Sequence, residues 1–204
     1  MRKKMVLALL MATLLAGGVF AQNFSISAGG GVILGPSFSE WKDGGSSTKY
    51  SGFDFAINAF FDATYAEVNL GLLFNSSKED RSDAKNEDNT YLTLGVLGKY
   101  PFFLSDKLAL FPFVGIDYYI GLESKYDGEA TEFDDPSMAD YMNCLSLSFG
   151  AGVDFNITKT LYLRGEIGYV IVFNTNVENG YVDFDVTISK GRIPIKLAVG
   201  YRFK

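Results

Sequence analysis

The chain has no histidine among its 204 residues and only one cysteine. Without an imidazole, a serine nucleophile lacks its usual general base, and only carboxylates or lysines are left for that role. We therefore expect no catalytic residues and no cofactor. The lone Cys144 cannot close an internal disulfide, and it reads as a small buried filler. Cations are the minority charge, 18 Lys and Arg against 24 Asp and Glu. That argues against nucleic acid as a partner, because such binding needs cations to replace counterions. Beyond residue 21 no apolar run reaches the roughly 18 residues of a membrane-spanning helix.

The first feature present is a targeting segment. Arg2, Lys3 and Lys4 precede an apolar run over 5–15, broken only by Thr13, and Val19-Phe20-Ala21 follows. This is the pattern of a secretory signal peptide, residues 1–21, with cleavage after Ala21. Residues 22–204 then form one domain. Losing the three cations takes the formal charge from −6 to −9.

The domain alternates apolar and polar residues, the period of a strand with one greasy face. Eight such segments run over 24–34, 52–62, 65–75, 90–100, 108–122, 143–155, 161–173 and 193–203. The last reads Ile193, Ile195, Leu197, Val199, Tyr201, Phe203 on one face, with Lys196, Gly200 and Arg202 among those between. Each segment has at least the roughly 9 to 11 residues that a tilted strand needs to cross a bilayer. The connections alternate in length: long at 35–51, 76–89, 123–142 and 174–191, short at 63–64, 101–107 and 156–160. These features predict an all-β protein, an eight-stranded antiparallel up-and-down transmembrane barrel with its long loops outside the cell.

Charge obeys the same division. No greasy face carries a charged residue, as a lipid-facing wall requires. Asp54, Glu67, Asp117, Asp154 and Glu166 fall on the opposite face, with Lys99, Arg164, Arg192, Lys196 and Arg202. Five against five predicts an enclosed, mutually neutralising network, since buried charges must be paired. Eight strands enclose a lumen just wide enough for side chains to fill, and Tyr91, Phe111, Phe113, Tyr119 and Tyr162 share the inner face. The expected lumen is plugged; the alternative is a narrow channel for ions or small solutes. A soluble lipocalin-like carrier, with the greasy face turned inward, would need Lys and Glu on its outer strand faces. The non-greasy faces here carry mainly Gly, Ser, Asn and Asp.

Four details complete the expectation. Residues 181–188 alternate too and slip phase at Lys190-Gly191, as a bulged upper continuation of strand 8 would. Pro112 and Pro194 lie in strands of a barrel that has no edge to hide a missing N–H. The third long loop is acidic, with Glu123, Asp127, Glu129, Glu132, Asp134, Asp135 and Asp140 against Lys125 alone. It has no calcium-loop spacing, so it reads as a solvated surface, and no metal site is expected. Trp41 in the first loop suits a headgroup anchor or a partner contact.

The ending K-L-A-V-G-Y-R-F resembles the C-terminal assembly signal of outer-membrane barrels. Lys196 matches its polar position and Tyr201 and Phe203 its aromatic ones; Ala198 stands where glycine is usual, and Lys204 follows the final aromatic. With the signal peptide and eight strands, the whole mature chain resembles the small OmpA/OmpX/OmpW-type outer-membrane barrels. That resemblance implies the outer membrane of a two-membrane bacterium, with insertion by the outer-membrane assembly machinery and periplasmic chaperones. It implies a monomer with both ends periplasmic, whose four loops meet host or environmental molecules. An OmpW-like role would pass hydrophobic solutes, which the charged inner face opposes. Membrane barrels that are enzymes resemble one another in using a histidine, which is missing here.

Overall fold

A computed structural model describes residues 25–43, 46–80, 85–130, 143–178 and 181–203, without the side chains of 41–47, 130 and 174–189. The signal-peptide segment, Gly44-Gly45, residues 131–142 of the acidic loop, Lys204 and the Trp41 side chain lie outside that description. The strands are β1 (Ser27–Asp43), β2 (Ser46–Ala63), β3 (Ala66–Glu79), β4 (Asn86–Lys99), β5 (Phe102–Phe103) and β6 (Leu108–Tyr126). They continue as β7 (Glu129–Ala130), β8 (Cys144–Asn156), β9 (Leu161–Glu178), β10 (Tyr181–Arg192) and β11 (Ile195–Arg202).

Every pairing is antiparallel between chain neighbours, and the sheet closes on itself. β2 follows β1, then come β3, β4, β6, β8 and β9. β10 and β11 are the upper and lower halves of the eighth strand, each lying between β9 and β1. The seam pairs Ser27 with Arg202 through Leu34 with Ile195, then Ser37 with Arg192 through Trp41 with Ile188. Closure removes the unpaired edges that lipid could not satisfy.

The outer wall is the greasy face. Phe61, Val68, Val96, Ile116, Leu147 and Ile171 are successive ladder partners around it. Val68, Val96 and Ile116 are more than half exposed (54, 57 and 55 %), which only a lipid solvent makes favourable. Charge returns to the outer face of the strands above this band, at Lys49, Lys78 and Asp88, and below it in the turns, at Asp106, Lys107 and Lys159. Aromatic pairs mark its margins: Phe55 and Phe74 stack at 6.1 Å above, while Tyr65–Tyr100, Tyr100–Phe102 and Tyr201–Phe203 lie below. This is the two-girdle arrangement of a membrane barrel.

The strands run farther outward than expected. Most of 35–51, read as a loop, is a paired hairpin in which Asp43 opposes Ser46. β3 and β4 extend to Lys78 opposite Asn86. β9 and β10 pair up to Glu178 opposite Tyr181. In the first two of these hairpins polar residues fall on both faces, so the alternation that marks lipid contact ends while the backbone ladder continues; in the third, Val182, Phe184, Val186 and Ile188 keep it going.

The eighth strand is irregular at Pro194 and again higher up. Its register against β9 shifts between Asp185 and Lys190, slightly before the expected slip. Ile193-Pro194 separates β10 from β11, yet Ile193 N–H reaches Pro36 O (3.0 Å) and Gly168 N–H reaches Pro194 O (3.1 Å). Pro112 sits just past the end of the β4 ladder, with its carbonyl accepting from Tyr100 N–H at 3.2 Å. On the periplasmic side Thr64 takes a positive φ of 56° in the tight β2–β3 turn. Its hydroxyl accepts from Ser25 N–H (2.7 Å) and donates to Ser25 O (2.9 Å), tying down the chain ahead of β1.

Candidate functional site: the lumen

Alternation sends every second residue inward, and the ladder registers decide which of them meet. The lower, periplasmic half is organised by Arg164 of β9, whose side chain has no exposed surface. Its Nε and Nη2 donate to both oxygens of Asp154 on β8 (2.7 and 2.8 Å). Nη2 also donates to Asp62 of β2 (2.6 Å), and Nη1 to Glu67 of β3. Lys99 of β4 donates to Asp62. Lys196 of β11 donates to Glu67 (2.8 Å) and lies 3.5 Å from Glu166. One guanidinium thus bonds strands from opposite sides of the barrel, in the fork geometry that only arginine offers.

Aromatic rings complete this layer. Phe60 and Phe111 each lie 5.0 Å from the Arg164 guanidinium carbon, and Tyr162 lies 5.2 Å away. Cation–π contact strengthens in such a desolvated setting. Tyr162 itself is fully buried and hydrogen-bonds Ser27 across the seam (2.9 Å). Arg202 lies lower, donating to Asn156 (2.6 Å) and covering Tyr162 at 4.6 Å. Asp62, Glu67, Asp154 and Glu166 face Lys99, Arg164, Lys196 and Arg202, a formally neutral set of buried charges.

The upper half is built differently. Arg192 of β10 meets Asp54 (Nε to Oδ2, 3.2 Å) and covers Tyr119 at 4.7 Å. Asn75 donates to Asp54 (2.6 Å) and to Ser37 (2.9 Å). Around them pack Ala56, Leu73, Tyr91, Tyr119, Cys144, Val170 and Val172. Asp117 faces inward but forms no ion pair among the described residues.

Three small cavities follow one another along the axis. One of about 250 Å³ opens at the outer mouth. The next, about 120 Å³, lies beneath it, with Arg192 in the wall of both. The third, about 40 Å³, lies below the Arg164 layer beside Asp154, Tyr162 and Arg202. Among the described residues none of these three cavities crosses that layer, whose ion pairs plug the lumen.

Six of the ten inner-face charges read from the sequence meet in the plug: Glu67, Lys99, Asp154, Arg164, Glu166 and Lys196. Arg202 sits at its lower rim, Asp54 and Arg192 form a separate upper pair, and Asp117 stands apart. Asp62 is not among those ten, so the inner-face tally is six acids to five cations rather than five to five. Its signal is present in the sequence: Asp62 shares the parity of Asp54 and Asn58, at the last inward position of β2. Among the described residues no cluster of three or more Cys, Asp and Glu is arranged for a metal; the carboxylates of the plug are bound to cations instead.

An all-β closed barrel of eight strands, lipid-facing outside and ion-paired within, is a transmembrane protein of the outer membrane. The chain belongs to the outer membrane protein beta-barrel domain family, whose model matches residues 7–203. No curated protein matches it. Among solved structures it is similar to Neisserial surface protein A, at 14 % identity and TM-score 0.47, covering 87 % of this chain and 99 % of that one. A major outer membrane protein from Thermus thermophilus aligns at 16 % identity and TM-score 0.42, covering 84 and 99 %. Ail of Yersinia pestis aligns at 17 % identity and TM-score 0.32, covering 88 and 99 %.

Proposed function

We propose that this structural barrel acts through its outer hairpins, as a monomeric, non-enzymatic surface protein meeting host or environmental molecules. The plug around Arg164 carries this reading, because it leaves the outer ends as the part of the molecule open to partners. The hairpins β1–β2, β3–β4 and β9–β10 stand above the apolar band on paired strands, a stiff way to present their tips. The absence of any histidine supports a non-catalytic role. Delivery by periplasmic chaperones and insertion by the outer-membrane assembly machinery fit the alternating aromatic residues Tyr201 and Phe203 of the closing strand.

A narrow conduit is the second reading, favoured by the three cavities in line on either side of the plug. Planar-bilayer recording of the refolded barrel separates the two. The surface-protein reading predicts a silent wild type; reproducible channels that change in Arg164→Ala would sink it.

A further inference from the structure

The mouth cavity differs from the rest of the lumen in the hydrogen-bonding groups it leaves unused. Its wall includes Ser37, Asn75, Glu87, Tyr91, Lys190 and Arg192. Asn75 is committed to Ser37 and Asp54, and Glu87 accepts from Asn89 at 2.8 Å. Among the described residues Lys190 has no ion-pair or hydrogen-bond partner, and neither does the Tyr91 hydroxyl. Arg192 uses Nε on Asp54, while its buried Nη1 has no partner. All three unused groups are donors. In the cavity beneath, the buried atoms without a hydrogen bond, Asn58 Oδ1 and Glu166 Oε1 (the latter still 3.5 Å from Lys196 Nζ), are acceptors.

Sheltered donors without acceptors are costly unless a partner arrives, most of all when they carry charge. We infer that the outer mouth is a binding site for a small oxyanion, a phosphate or carboxylate borne by a molecule no larger than about one sugar ring. Lys190 is the principal contact, with the Tyr91 hydroxyl beside it, and Arg192 supplies positive potential from below. The cavity, at about 250 Å³, lies just under the size range of drug-sized ligand pockets, roughly 300–1,000 Å³. Hydroxyls and amides of Ser37, Ser77 and Asn89 around it suit a hydroxylated body. Glu87, in the same wall, repels any bound anion and so tempers the affinity of the site.

Calorimetric titration of the barrel in lipid nanodiscs tests this, with glucose 6-phosphate, inorganic phosphate and glucose as probes. Both phosphates are expected to bind one to one and glucose not at all. Lys190→Gln, checked for folding by band shift on unboiled gels, is expected to weaken phosphate binding about tenfold or more, the effect of losing a charge-assisted contact. Glu87→Gln is expected to tighten it, which gives a second readout should Lys190→Gln fail to fold. Absence of phosphate binding, glucose binding as tight as its phosphate, or affinity unmoved or lowered in Glu87→Gln would each overturn the inference.

Discussion

The two halves of the lumen solve the same problem in opposite ways. Both are walled by inward residues of the same eight strands, and both hold arginine, carboxylate and tyrosine. Below, Arg164 makes four hydrogen bonds to three carboxylates among Phe60, Phe111 and Tyr162. Above, Arg192 has one ion-pair partner among the described residues, and a cavity adjoins it. The lower half excludes water and must satisfy each charge internally; the upper half admits solvent and tolerates unpaired donors. Strength and closure therefore belong to the periplasmic half, and access to the outer half.

Substitutions should expose that asymmetry, read by urea unfolding of barrels refolded into vesicles and followed by gel band shift. Arg164→Met keeps bulk but takes four hydrogen bonds from the plug, leaving Asp62 to Lys99, Glu67 to Lys196 and Asp154 with only Arg202 at 4.0 Å. We expect a loss of about 3–5 kcal/mol, the cost of breaking a buried charge set. Gly200→Ala should cost about 1–3 kcal/mol by overpacking, because a Cβ there would strike the buried Tyr162 ring and disturb its bond to Ser27. Arg192→Gln should cost less, about 1–2 kcal/mol, since Asp54 keeps its bond from Asn75 and water can reach the gap. If Arg192→Gln proved as damaging as Arg164→Met, the distinction between the halves would fail.

The smallest effect belongs above the membrane. Lys85 and Asp127 pair at 2.9 Å with both side chains more than half exposed, and the carboxylate raises the Lys85 ammonium above its ordinary pKa. Exposed pairs of this kind contribute little, so Lys85→Gln should leave the unfolding midpoint unchanged.

The same division governs what is legible without the fold. Lipid imposes a strict period of two, so the membrane band of every strand can be read, down to the seam of 193–203 with the first strand. Above the band both faces meet water, and 35–51 carries no periodic trace of the hairpin it forms. Inward parity is legible too, and with it ten of the inner charges. Their partners are not: Arg164 meets Glu67 across 97 residues, a contact fixed by accumulated register rather than by spacing. Asp62 escapes notice at a strand end, although its parity puts it inside. The unused donors at the mouth emerge only when every neighbour's bonds are accounted for.

Side-specific labelling of lumen cysteines tests the central claim most directly. In a Cys144→Ser background, Ser77→Cys would stand in the mouth cavity and Ser27→Cys below the Arg164 layer. A small charged thiosulfonate added to intact cells should label Ser77→Cys readily and leave Ser27→Cys unmodified until the barrel is unfolded. Labelling of Ser27→Cys from outside at a comparable rate would mean that the ion-paired layer does not close the barrel.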